Sequence, residues 1–115
     1  MDLTTDLVDE ICQKIADGNF PETAAVASGV TSTQFSNWTK RGNTEMVRLD
    51  EGQKLNKDDA IYVHLIAQID LAQATSESRA VSFWQNHVSE NWQAAKEFLS
   101  RRFPSRWSSN PTPQN

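Results

Sequence analysis

The sequence has one cysteine, Cys12, so it can form neither an intrachain disulfide nor a cysteine-based zinc site. No stretch approaches the roughly 18 apolar residues of a membrane span. The opening MDLTTDLVDE is acidic and lacks the basic start of a secretory leader, so the expected location is a reducing cytosol. No GxxxxGK loop is present, which excludes that type of phosphate-binding ATPase site. Basic residues are in deficit: 11 Lys and Arg stand against 15 Asp and Glu, a formal net charge of -4. That balance excludes a protein that coats nucleic acid non-specifically. His64 and His87 have no partner at metal-ligand spacing. The pairs Asp9–Glu10, Asp50–Glu51 and Asp58–Asp59 fit helix termini or a linker better than acid–base chemistry. The chain is therefore expected to be no enzyme, with no metal, no cofactor and no catalytic residue.

What remains is a small globular chain of 115 residues and 13.0 kDa, 37% hydrophobic and 23% charged, the size of one small domain or of one plus an appended helical pair. Its charge is uneven. Residues 1 to 56 carry five basic and nine acidic side chains, whereas residues 57 to 115 carry six of each. Inside the acidic half, residues 31 to 42 (TSTQFSNWTKRG) have two cations and no acid.

Periodicity predicts helices throughout and no strand, so the fold class is all-α. Leu7, Val8, Ile11, Cys12 and Ile15 share one face of a first helix over residues 5–17, capped by Thr4 or Thr5 and ended by Gly18 and Asn19. Pro21 opens a short second helix, PETAAVAS, which Gly29 breaks. Thr31 caps a third helix running to about Arg41, with Gly42 closing it. Residues 43–56 lack a sustained period and contain Gly52, so they read as a linker, with a helical turn near Met46 to Leu49. From Lys57 or Asp58 a long helix begins, free of Pro and Gly until Pro104. A bend is expected around Ser89 to Asn91, then a final helix to Arg102. The SSNPTPQN end reads as a flexible tail. The expected organisation is a DNA-binding domain over residues 1–42, a linker over 43–56, a helical hairpin over 57–103 and a tail over 104–115.

Residues 21 to 40 carry the most information. A helix-turn-helix needs a small residue where its helices cross (Ala25), a glycine in the turn (Gly29) and an apolar residue after it (Val30). It also needs apolar anchors on the inner face of the second helix, here Phe35 and Trp38. With those two inward, the outer face carries Ser32, Thr33, Ser36, Asn37 and Lys40, flanked by Thr31, Gln34 and Arg41. These are hydrogen-bonding side chains that suit base edges and phosphates, plus two cations that neutralise phosphates. The eight are the candidate DNA-binding residues. Two cations per subunit hold DNA weakly at cellular salt, so several copies are needed. The competing reading is a three-helix bundle whose polar face is merely solvated.

The long helix offers those copies a contact. Ile61, Tyr62, Leu65, Ile66 and Ile69 occupy more than one face, so one face can pack on the last helix and leave another for a neighbour. The alternative is that all of them lie in a monomer core. Arginines interleave with Phe103 and Trp107, and such aromatics favour burial. Trp84, Trp92, Arg102 and Trp107 therefore join the candidate oligomer interface.

Two stretches resemble the small subunit of tailed-phage DNA-packaging terminases. GNFPETAAVASGVTSTQFSNWTKRG, residues 18 to 42, is similar to the family's helix-turn-helix. NWQAAKEFLSRRFPSRWS, residues 91 to 108, is similar to a segment of phage proteins of this type. The resemblance implies a non-catalytic protein in the bacterial host cytoplasm that binds double-stranded viral DNA. It further implies a homo-oligomeric ring, of about nine subunits, built through a central hairpin. That ring would present DNA to the large subunit, which holds the ATPase and nuclease. The alternatives are a dimeric phage or bacterial transcription regulator, and a structural adaptor whose helix-turn-helix contacts protein.

Overall fold

The computed structural model describes residues 1–86 and 88–107. Among them all regular structure is helical, and no helix is long and apolar enough to cross a membrane. The helices are α1 (Thr5–Ala16), α2 (Pro21–Ala27), α3 (Ser32–Asp50), α4 (Ala60–Asn86), α5 (Val88–Arg102) and α6 (Pro104–Trp107), with a single 3-10 turn at Lys57–Asp59 ahead of α4. The chain forms two compact units, one over Met1–Gln73 and one beginning at Ala74.

Local chemistry sets the helix ends in the first unit. The Leu7 amide donates to Thr4 Oγ1 at 3.2 Å, and Thr31 Oγ1 accepts from the Gln34 amide at 3.1 Å. Each hydroxyl satisfies one amide that the first turn leaves without a partner. Pro21 opens α2, where its missing N–H costs nothing. Gly29 closes it at φ 91°, with its amide on the Val26 carbonyl and the Val30 amide on the Ala25 carbonyl, both at 3.0 Å. That left-handed step strains any residue with a Cβ.

The core of this unit is continuous. Val8, Ile11 and Ile15 of α1 meet Ala24 and Ala25 of α2, then Val30, and Phe35 and Trp38 of α3. Leu65, Ile69 and Ala72 of α4 complete it, with Leu7, Cys12, Ile61 and Tyr62 partly buried at its edge. Fully burying a Val, Leu or Ile side chain stabilises by about 1.5–3 kcal/mol, so this cluster is what holds the unit together.

Three expectations are corrected here. First, α3 does not stop at Gly42 but continues eight residues further, to Asp50, and absorbs most of the expected linker. Gly42 is buried inside the helix, where α4 crosses so closely that a Cβ would meet Ile66 Cγ1 and the Tyr62 carbonyl oxygen. The helix ends instead at Gly52, with φ 82°. Buried Glu45 helps hold its last turns, accepting two hydrogen bonds from Arg48 Nη1 at 2.8 and 2.9 Å. Second, Leu65 and Ile69 are buried in the core of the unit's own fold, and Ile61 and Tyr62 pack partly buried on the same core. Leu71 is a large apolar residue that α4 exposes in this unit. Third, Ser89 to Asn91, where a bend is expected, are helical and lie within α5.

In the second unit α5 and α6 pack together, and α6 reaches α4. Leu99 and Ser76 are buried. Trp107 Nε1 donates to Glu77 Oε2 at 3.0 Å, Arg106 Nη1 pairs with Glu77 Oε1 at 2.7 Å, and Ser100 Oγ donates to the Trp107 carbonyl at 2.9 Å. The rings of Trp84 and Trp107 meet edge to face with centroids 6.0 Å apart. Arg102 lies over Phe103 at 5.3 Å, and burial lowers its pKa. Trp84, Arg102 and Trp107, expected at a subunit interface, thus make contacts inside their own unit. The side chain of Trp92, His87 and the SSNPTPQN tail lie outside the described residues.

Candidate nucleic-acid interface

The surface in question is the outer side of α3, and the core dictates its composition. Val30, Phe35 and Trp38 are buried, so the helix period turns Ser32, Thr33, Ser36, Asn37 and Lys40 outward. These five line one open concavity together with Glu22 of α2, Thr39 and the edge of Phe35. Five of the eight candidate residues therefore share a surface.

The other three are engaged elsewhere. The hydroxyl of Thr31 caps its own helix, as above. Gln34 Nε2 donates to the Met1 carbonyl at 3.1 Å, tying the first residue to α3. Arg41 turns to the α4 side, where its Nε donates to Asp59 Oδ1 at 2.7 Å and its guanidinium stacks over the Tyr62 ring at 4.6 Å. Asp59 is buried, so this pair fixes the start of α4 against α3. Among the described residues Lys40 is the one cation lining the concavity.

Glu22 is the lining residue that sequence spacing did not bring to this face. It stands in the first turn of α2, where a carboxylate suits the helix dipole. The crossing of α2 and α3 at the Gly29 turn brings it beside residues ten and more positions later. The window of residues 31 to 42 is free of acids, but the surface it forms is not. No ion pair joins Glu22 or Lys40 to another described residue.

The surface can accept and donate hydrogen bonds through short side chains, with one charge of each sign. It has the chemistry of polar recognition. Among the described residues no group of three His, Cys, Asp or Glu comes together to hold a metal ion. Cys12, on α1, packs partly buried against the unit's core. Burial, with a contribution from Asp9, pushes its thiol up to about 11.

Comparison with protein-family models, with curated proteins and with solved structures finds no match to this chain.

Proposed function

We propose that this chain is a non-catalytic DNA-binding subunit of the terminase small-subunit type. In this reading α2, the Gly29 turn and α3 form a helix-turn-helix, and the region after it provides a helical hairpin for assembly. The protein acts in the host cytoplasm on double-stranded viral DNA, as a ring-like homo-oligomer that presents the DNA to the large ATPase and nuclease subunit.

One observation carries the DNA-binding part. The residues that the core forces outward on α3 form one concavity of hydrogen-bonding side chains, beside a turn with helix-turn-helix chemistry at Ala25, Gly29 and Val30. Such a helix fits a major groove, and Ser, Thr and Asn side chains reach base edges and phosphates. A single lysine on this face makes each subunit's grip weak and salt-sensitive, so assembly multiplies it. Exposed Leu71 and, in the second unit, exposed Phe83 supply apolar surface on α4 for a neighbouring copy.

The test is fluorescence anisotropy with labelled duplex DNA at low salt, beside a native mass measurement. Wild type is expected to bind duplex as a large oligomer, Lys40→Glu to lose that binding while keeping its mass, and Leu71→Glu to drop in mass. A stable monomer sinks the ring. A two-fold oligomer that prefers a short palindrome favours a transcription regulator. Unchanged DNA binding by Lys40→Glu removes α3 from the interface.

A further inference from the structure

We infer that Glu22 is a specificity-determining residue of the α3 surface, one that weakens binding to arbitrary duplex and favours a site with an exocyclic amino group opposite it. This rests on the DNA-binding reading of that surface. The observation is placement. Glu22 comes from a different helix, yet lines the same concavity as Ser36, Asn37 and Lys40, and no described residue forms an ion pair with it.

Two consequences follow from its chemistry. A duplex docked on α3 brings closely spaced phosphate charges to this face, and an exposed carboxylate repels them. With Glu22 opposing Lys40, the concavity carries no net charge to release counterions, so its non-specific binding is poor. An ionised carboxylate also accepts hydrogen bonds and donates none. In the major groove the donors it can meet are the amino groups of cytosine and adenine, with cytosine N4 the usual carboxylate partner. A duplex that offers such a group converts a repulsive residue into a bonded one, whereas a guanine or thymine edge leaves it facing acceptors. Discrimination arises from penalising wrong sites as much as from rewarding the right one.

The helix-dipole role of Glu22 at the start of α2 is local to folding, and a DNA readout separates the two. The full-length chain and its Glu22→Gln and Glu22→Asp variants are compared on one fixed random-sequence duplex and by selection from a pool of duplexes with a randomised core. Circular dichroism verifies that each variant is folded. Glu22→Gln is expected to bind the random duplex several-fold tighter, on the order of fivefold at low salt, and to shift the selected base from cytosine towards adenine, the usual partner of an amide. Glu22→Asp retains the charge on a shorter arm, so it is expected to keep the weak random-duplex binding and lose the base preference. If wild type binds DNA and Glu22→Gln changes neither affinity nor selected base, the role of Glu22 is overturned and the DNA-binding reading stands. If wild type retains no duplex at all, both fall.

Discussion

Gly42 stands where a side chain would collide with the next helix. A Cβ there would lie 2.5 Å from Ile66 Cγ1 and 2.5 Å from the Tyr62 carbonyl oxygen. The isoleucine can move by a rotamer change, but the carbonyl belongs to the α4 backbone. Gly42→Ala gains about 1 kcal/mol in helix propensity, so an exposed mid-helix glycine would be stabilised by the change. Overpacking costs about 1–3 kcal/mol and works against it, and the backbone clash places this site at the upper end. The expected result is a net loss of about 1–2 kcal/mol in urea unfolding, only partly recovered by adding Ile66→Ala. An alanine variant as stable as wild type would show that α3 and α4 do not approach this closely.

Lys40 and Arg41 are neighbours in sequence and do different work. Arg41 binds buried Asp59 and covers the Tyr62 ring, whereas Lys40 points into the concavity. A hydrogen bond to a charged group contributes about 1.5–3 kcal/mol when protected, and the half-exposed guanidinium lowers that to about 1 kcal/mol through solvent screening. Arg41→Ala is therefore expected to lower the melting temperature by several degrees, and Lys40→Ala to leave it unchanged while weakening duplex binding. Equal thermal effects from the two alanines would remove the structural role assigned to Arg41.

That contrast also shows which features were legible in the sequence. Val8, Ile11 and Ile15 repeat on one helical face, Thr4 and Thr31 precede their helices as caps, and Pro21 and Gly29 bracket α2. Each is a local signal, and each marks a helix face or a helix end that formed there. The failures are tertiary. Gly42 carries the same letter as the helix-ending Gly29, and only the passage of α4 beside it reveals that it is there for close packing. The Arg41 contact to Asp59 was hidden because the two lie 18 residues apart. Leu65 and Ile69 have the period of a buried stripe, but the period does not say whether their own unit or a neighbour does the burying. Glu22 escaped notice because the acid-free window was counted along the chain, while the surface is assembled across a turn.

Cys12 provides a prediction in pH. Burial favours the neutral thiol and Asp9 disfavours the thiolate, so the folded pKa rises from 9.0 to about 11. Between these values the unfolded chain has lost a proton that the folded chain still holds. The contribution of this group is complete below pH 9.0 and fades as pH rises towards 11. Cys12→Ala is expected to flatten the fall in stability across that window relative to wild type, measured by urea unfolding at successive pH values. Native Cys12 should also react slowly with a thiol reagent at neutral pH and quickly once unfolded. Rapid native reaction would place the thiol at the surface.

In the second unit, Glu77 receives Trp107 on one carboxylate oxygen and Arg106 on the other. The two are unequal. The Arg106 side chain is 62% exposed, and such ion pairs contribute about 0–1 kcal/mol. Trp107 donates from a half-buried ring that also meets Trp84 edge to face, and losing a hydrogen bond to a shielded carboxylate costs about 1–2 kcal/mol. Trp107→Phe keeps an aromatic ring against Trp84 but removes the donor, so it should destabilise this unit more than Arg106→Ala does. Hydrogen exchange is the appropriate measurement, because it reads the two units separately. Faster exchange is expected in α5 and α6 of Trp107→Phe, with α1 to α3 keeping their protection. If Arg106→Ala exposes α5 and α6 as strongly as Trp107→Phe, the ion pair outweighs the indole hydrogen bond, and the ranking by exposure is wrong.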